Sequence, residues 1–148
     1  MYIYSKHKFE AYLLTYSTGS TPYPGSIGES YAQYVPQLQV LQAADLFITH
    51  GGMNSINEAV TYDVPMIVVP NTIEQSINAS RIEQLDCGLY LDHAQLTVES
   101  LQSAAVKVLT DPTASNGLPA LRDSFAKAGG TQQAADVIAR FKERHGLR

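Results

Sequence analysis

The tightest constraint in this chain is a pair of glycines, Gly51-Gly52, set between a strand-like run and a helix-like run. Residues 44–75 read ADLFITHGGMNSINEAVTYDVPMIVVPNTIEQ. Leu46-Phe47-Ile48-Thr49 has the length and composition of a strand. After His50 and the glycines, residues 53–62 favour a helix, with Ile56, Ala59 and Val60 spaced to make one apolar face. A second β-branched run, residues 66–69, is fenced by Pro65 and Pro70. Strand, glycine turn, helix and strand make a βαβ unit. Such a unit predicts an anion site, because the first amides of a helix are unpaired and carry the positive end of its dipole. Glycines ahead of them let a phosphate approach the backbone.

The side chains around the turn suit a nucleotide better than a bare anion. His50 ends a strand, at the edge where open α/β sheets bind ligands. Asn54 and Ser55 fall in the first helical turn and add neutral donors, although both also serve as plain helix caps elsewhere. Glu58 lies one turn beyond Asn54 on the same face. A carboxylate there would repel a diphosphate, yet it can accept hydrogen bonds from a ribose diol. Glu74-Gln75 follows the next strand and offers an acceptor and an amide to sugar hydroxyls.

His50-Gly51-Gly52-Met53-Asn54-Ser55, Glu58, Val64-Pro65, Pro70, Glu74-Gln75 and Asn78-Ala79 together resemble the nucleotide-sugar signature of the UDP-glycosyltransferase family, closest to its bacterial macrolide-glycosyltransferase branch. Upstream, Tyr34-Val35-Pro36-Gln37 and Leu41 resemble the segment that packs on the donor's base, although Pro36-Gln37 also reads as a helix-start turn. The resemblance runs from about Tyr31 to the C-terminus. It implies an α/β fold with a Rossmann-like parallel sheet flanked by helices, the C-terminal half of the two-domain fold called GT-B. The implied donor-binding residues are Pro36, Gln37, His50, Gly51, Gly52, Asn54, Ser55, Glu58, Glu74 and Gln75. Glu74 departs from the aspartate usual in that pair, and its extra methylene moves the carboxylate by about 1.5 Å, which bears on the choice of sugar.

Composition narrows the alternatives. At 148 residues the chain is one domain's length, about half of a two-domain enzyme of this kind. A net charge of −4 argues against nucleic acid as partner. No apolar run approaches the ~20 residues of a membrane span, and the first residues, interrupted by Lys6, His7, Lys8 and Glu10, do not read as a signal peptide. The single Cys87 excludes an internal disulfide and suits a reducing cytoplasm as location; it reads as a small buried apolar residue. His7, His93 and His145 have no companions at metal-ligand spacing and read as surface residues.

In chain order, residues 1–30 read as an incomplete N-terminal part and 31–148 as the donor-binding domain. Residues 12–16 read as a strand, 21–30 as a Pro/Gly/Ser-rich loop, and 31–35 as a short strand. Val40, Leu41 and Ala44 form the apolar side of a brief helix. Residues 76–85 read as a helix with Ile77, Ile82 and Leu85 inward and Gly88 as its stop. Residues 89–91 make a short strand. Thr97 caps the next helix, with Leu101, Ala104, Ala105, Val108 and Leu109 at helical spacing. Asp111-Pro112 ends it. A helix over 118–128, a break at Gly129-Gly130, and a last helix capped by Thr131 complete the chain.

The resemblance also implies an earlier strand and helix, the strand lying mid-sheet. Either residues 1–5 supply a substitute, or the chain is a fragment with an imperfect sheet; the fragment is the favoured expectation. A parallel sheet without its centre would leave unpaired backbone groups. The general base and acceptor pocket that the resemblance implies belong to the other half, so no catalytic residue is expected here beyond leaving-group stabilisation by His50. The implied reaction is inverting transfer of a hexosyl group from a UDP-sugar to an acceptor hydroxyl, with no metal or cofactor. A small-molecule acceptor would bind only with a missing acceptor domain or partner chain. Two alternatives stand beside this half-enzyme: a non-catalytic sugar-nucleotide-binding module, and an inactive remnant of a truncated gene.

Overall fold

The computed structural model describes residues 36–147 in full, and the backbone strands of residues 2–5, 10–13 and 29–31. Strands β1 (Tyr2–Ser5), β2 (Glu10–Leu13), β3 (Glu29–Tyr31), β4 (Leu46–Thr49), β5 (Met66–Val68) and β6 (Gly88–Tyr90) form a single sheet in the order β3-β2-β1-β4-β5-β6. Helices α1 (Gln37–Leu41), α2 (Met53–Thr61), α3 (Ile73–Gln84), α4 (Val98–Thr110), α5 (Leu118–Lys127) and α6 (Gly130–Arg144) complete the order, with short 3-10 turns at His93–Gln95 and Pro112–Ala114.

The β4-β5-β6 half is the expected parallel sheet flanked by helices. Phe47 lies opposite Met66, and Met66 opposite Gly88. Side chains alternate along these strands as a strand's period of two requires. Phe47, Met66 and Val68 face a core completed by Ile56, Ala59 and Val60 of α2, Ala79 and Ile82 of α3, Leu41, Val64, Cys87 and Leu118. Leu46 and Ile67 face the other way, onto Val108 and Ala114, with Ile48, Val69 and Leu101 packed alongside. Burial on both faces is why these strands read as continuous apolar runs rather than alternating ones.

The slot beside β4 is filled. Strand β1 pairs with β4, Tyr2 opposite Ile48 and Tyr4 opposite Leu46, and runs antiparallel to it. It pairs antiparallel with β2 as well, and β2 and β3 are parallel. Residues 2–5 thus supply a strand at that place, which satisfies β4's backbone groups on that side. Strand β2 starts earlier than the expected 12–16, and its stretch 14–16 lies outside the described residues. Glu29 and Ser30, read as loop, begin β3; residues 32–35, read as strand, lie outside the described residues, as does His7.

Three local expectations are corrected. Ile77 does not face inward: it is 65% exposed, as is Ile73 one turn before it at 83%. At 3.6 residues per turn, five residues separate Ile77 from Ile82 and place it on the opposite side of α3. Gly88 does not stop that helix. Asp86 takes the left-handed turn at φ 51, and Gly88 opens β6, where a Cβ would lie 2.1 Å from the Met66 carbonyl oxygen. Thr131 does not cap α6, which starts one residue earlier after Gly129 and has no side-chain cap. Thr97 does cap α4, in a reciprocal pair with Ser100. Among the described residues no helix is long and apolar enough to cross a membrane.

Candidate functional site

The turn from β4 into α2 is held from three directions. Thr49, a buried polar residue, accepts a hydrogen bond from the Gly51 amide at 3.3 Å through its hydroxyl. Gly51 adopts φ +86, and a Cβ there would sit 2.6 Å from Val68 Cγ1, so both conformation and space demand glycine. From α3, the Asn78 side-chain amide donates to the Gly51 carbonyl at 3.0 Å. That bond gives the Asn78 position a physical role that its place in the motif did not disclose.

Helix α2 begins uncapped. Its N-cap is Gly52, without a side-chain bond, and no acidic residue occupies the first turn. The amides of Met53, Asn54 and Ser55 have no intrahelical acceptor by helix geometry. They open onto a surface depression lined by His50, Gly52, Met53, Asn54 and Ser55. A Cβ on Gly52 would meet His50 Nε2 at 3.1 Å, so the imidazole edge lies against the start of the helix. A ring donor and free amides converge there with the positive pole of a nine-residue helix, an arrangement that can accept an anion.

A larger cleft of about 620 Å³ runs from this point past the carboxyl ends of β4 and β5 to the turn after β6. Its polar wall comprises Gln37, Thr49, His50, Ser55, Asn71 and His93; Ile48, Val69, Leu96 and Leu101 supply the apolar part. At one end, Gln37 Nε2 donates to Glu58 Oε2 at 2.6 Å, tying α1 to α2 across 21 residues. Two residues expected to share a ligand thus share a hydrogen bond, and Glu58 is half-buried rather than a solvated helix residue.

The other end differs from expectation. Glu74 is exposed on the first turn of α3 and does not line the cleft, and neither does Gln75. Gln75 Oε1 instead accepts from the Asn71 amide at 2.8 Å, fixing the loop that brings Asn71 to the wall. Pro36 is exposed, and its carbonyl accepts from the Gln39 and Val40 amides, as a helix-start residue does. The structure therefore brings together Gln37, His50, Gly52, Asn54, Ser55 and Glu58, with Gly51 beneath them. Asn71 and His93 are the additions. His93 read as a surface residue because a lone histidine carries no spacing signal; only the return of the chain from β6 to the same edge reveals it.

Cys87 is fully buried among apolar side chains, away from the cleft. Burial, with Asp86 nearby, pushes its thiol up to about 11. Among the described residues no group of three His, Cys, Asp or Glu is placed to hold a metal ion.

A Rossmann-like sheet with an open helix start at its carboxyl edge is the architecture of the C-terminal half of the GT-B fold, and solved structures of similar fold are glycosyltransferases. The kitacinnamycin glycosyltransferase superposes with a TM-score of 0.72 at 37% identity, over 79% of this chain and 32% of its own. A calicheamicin glycosyltransferase gives 0.73 at 26%, over 82% and 32%. The chain belongs to the family of C-terminal domains like that of erythromycin biosynthesis protein CIII, whose model matches residues 17–140. It is 39% identical to the NDP-glycosyltransferase YjiC of Bacillus subtilis, across 88% of this chain and 35% of that protein. With the oleandomycin glycosyltransferase of Streptomyces antibioticus it shares 34%, across 82% and 30%. The chain thus spans about a third of the length of the curated relatives it matches.

Proposed function

We propose that this chain is the donor-binding half of a glycosyltransferase, holding a nucleoside-diphosphate sugar for inverting transfer of a hexosyl group to an acceptor hydroxyl. One observation carries the proposal: the uncapped start of α2, flanked by His50 and Ser55, opens into the cleft that Gln37, itself bonded to Glu58, lines at one end. A diphosphate at the helix start puts a ribose within reach of Glu58 and a sugar toward Asn71. A glycosyltransferase of the same fold, VinC, was solved in complex with dTDP, which supports a nucleotide as the ligand class.

In transfer, the acceptor oxygen attacks the anomeric carbon as the bond to the diphosphate breaks. Negative charge then grows on the departing phosphate oxygens. The helix amides, His50 and the Ser55 hydroxyl are donors already in place for that charge, an electrostatic contribution to the barrier. Deprotonation of the acceptor belongs to another domain or chain, and the donor half itself calls on no metal or cofactor. A buried free thiol fits a protein working in the reducing cytoplasm.

Amide NMR during titration with UDP and with dTDP tests the site. Shifts concentrated at Gly52, Met53, Asn54 and Ser55 are expected. Saturable shifts confined to other elements would place the nucleotide elsewhere and overturn the proposal.

A further inference from the structure

The cleft holds a second imidazole that the donor-binding reading leaves unused. His93 stands on the turn after β6 and lines the same wall as His50 and Asn71. Its own turn is firmly built. The Leu91 amide is bonded to the Val68 carbonyl at 2.9 Å, anchoring the end of β6 to β5. Asp92 accepts from the Ala94 amide at 2.9 Å, and the Ser100 hydroxyl donates to the Gln95 carbonyl at 2.8 Å. The imidazole is thus presented from a fixed turn, yet it makes no side-chain hydrogen bond among the described residues. Nor does the Asn71 side chain make one among the described residues, its backbone amide being held by Gln75.

We propose that His93, with Asn71, is a specificity-determining contact for the glycosyl part of the donor. This rests on the donor-binding reading above, and takes the sugar's place from the order of the strands. Along the carboxyl edge, β4 delivers His50, β5 delivers Asn71 and β6 delivers His93. A nucleotide sugar with its ribose at Glu58 and its diphosphate at α2 extends its sugar in that direction. The cleft there has a sugar's chemistry. Val69, Leu96 and Leu101 offer an apolar surface for the C–H face of a pyranose ring. Ring N–H groups and a carboxamide are hydrogen-bonding partners suited to sugar hydroxyls, which both donate and accept.

Calorimetry on the full chain with UDP and with UDP-glucose separates the roles. His93→Ala should weaken UDP-glucose binding about three- to tenfold, the loss of one neutral hydrogen bond, and leave UDP affinity within about twofold. His93→Gln, which keeps a donor and an acceptor, should recover most of that loss. Thermal melting of both variants should match the unaltered chain, since His93 is exposed. Equal weakening of both ligands, or no change in either, overturns the assignment of His93 alone. Failure of the unaltered chain to bind either ligand overturns the donor-binding reading beneath it.

Discussion

Gly51 is the residue with the least freedom in the site. Its φ of +86 and the 2.6 Å approach of Val68 mean that Gly51→Ala must strain the backbone and displace a core side chain. We expect a loss of about 1–3 kcal/mol in urea unfolding, together with weaker nucleotide binding as the carbonyl leaves Asn78. Stability equal to the unaltered chain would contradict that account of the turn. Cys87 makes a separate prediction. Its folded pKa, about 11, lies above its ordinary value of 9.0. The fold therefore favours the protonated thiol. This contribution is fully present below pH 9 and is lost as pH rises through 11, because ionisation is easier in the unfolded chain. Denaturation midpoints should fall across that window in the native protein and fall less in Cys87→Ala; identical pH dependence would refute it. At this scale the glycines, His50, Asn54 and Ser55 were legible, since their order along the chain is itself the signal. Asn71 and His93 were not, because three strand ends must meet before their shared wall exists.

Elements differ in how far their neighbours define them. Helices α2 and α4 follow their apolar spacing, and Thr97 marks the start of α4 through its bonds with Ser100. Thr97→Ala should cost about 1 kcal/mol, read from chemical denaturation; no loss would mean the cap is idle. On α3 an apolar residue type alone points Ile77 inward, whereas Ala79 and Ile82 define the buried side and Ile77 stands exposed. Strand β1 stands only as one of two alternatives for the first residues, since so short a run carries no periodicity that fixes its direction, and the sheet selects antiparallel. Helix α6 is the opposite extreme: none of its residues is buried, and Val137, Ile138 and Phe141 are all at least half exposed. With every residue of α6 exposed, its amides should exchange with solvent well before those of α2. Protection in α6 equal to that in α2 would show that something covers it.

For the molecule as a whole, the sheet is complete across β4 while several apolar side chains face outward. Ile73 and Ile77 on α3, Val98 and Val106 on α4, and Val137, Ile138 and Phe141 on α6 are examples among the described residues. Apolar surface of this kind marks contact sites, and we expect sedimentation velocity to show association that rises with concentration. A monomer at every concentration would count against those faces as contact surfaces. Because the chain is about a third of its relatives' length, it should also transfer no sugar from UDP-glucose without an added acceptor half. The most direct test of the central claim is calorimetry of UDP binding to the unaltered chain and to His50→Ala. Weak binding by the former is predicted. The variant should lose one hydrogen bond to a charged group, about 1.5–3 kcal/mol, or roughly ten- to a hundredfold in affinity. Equal affinity in the two proteins would contradict the site at the start of α2.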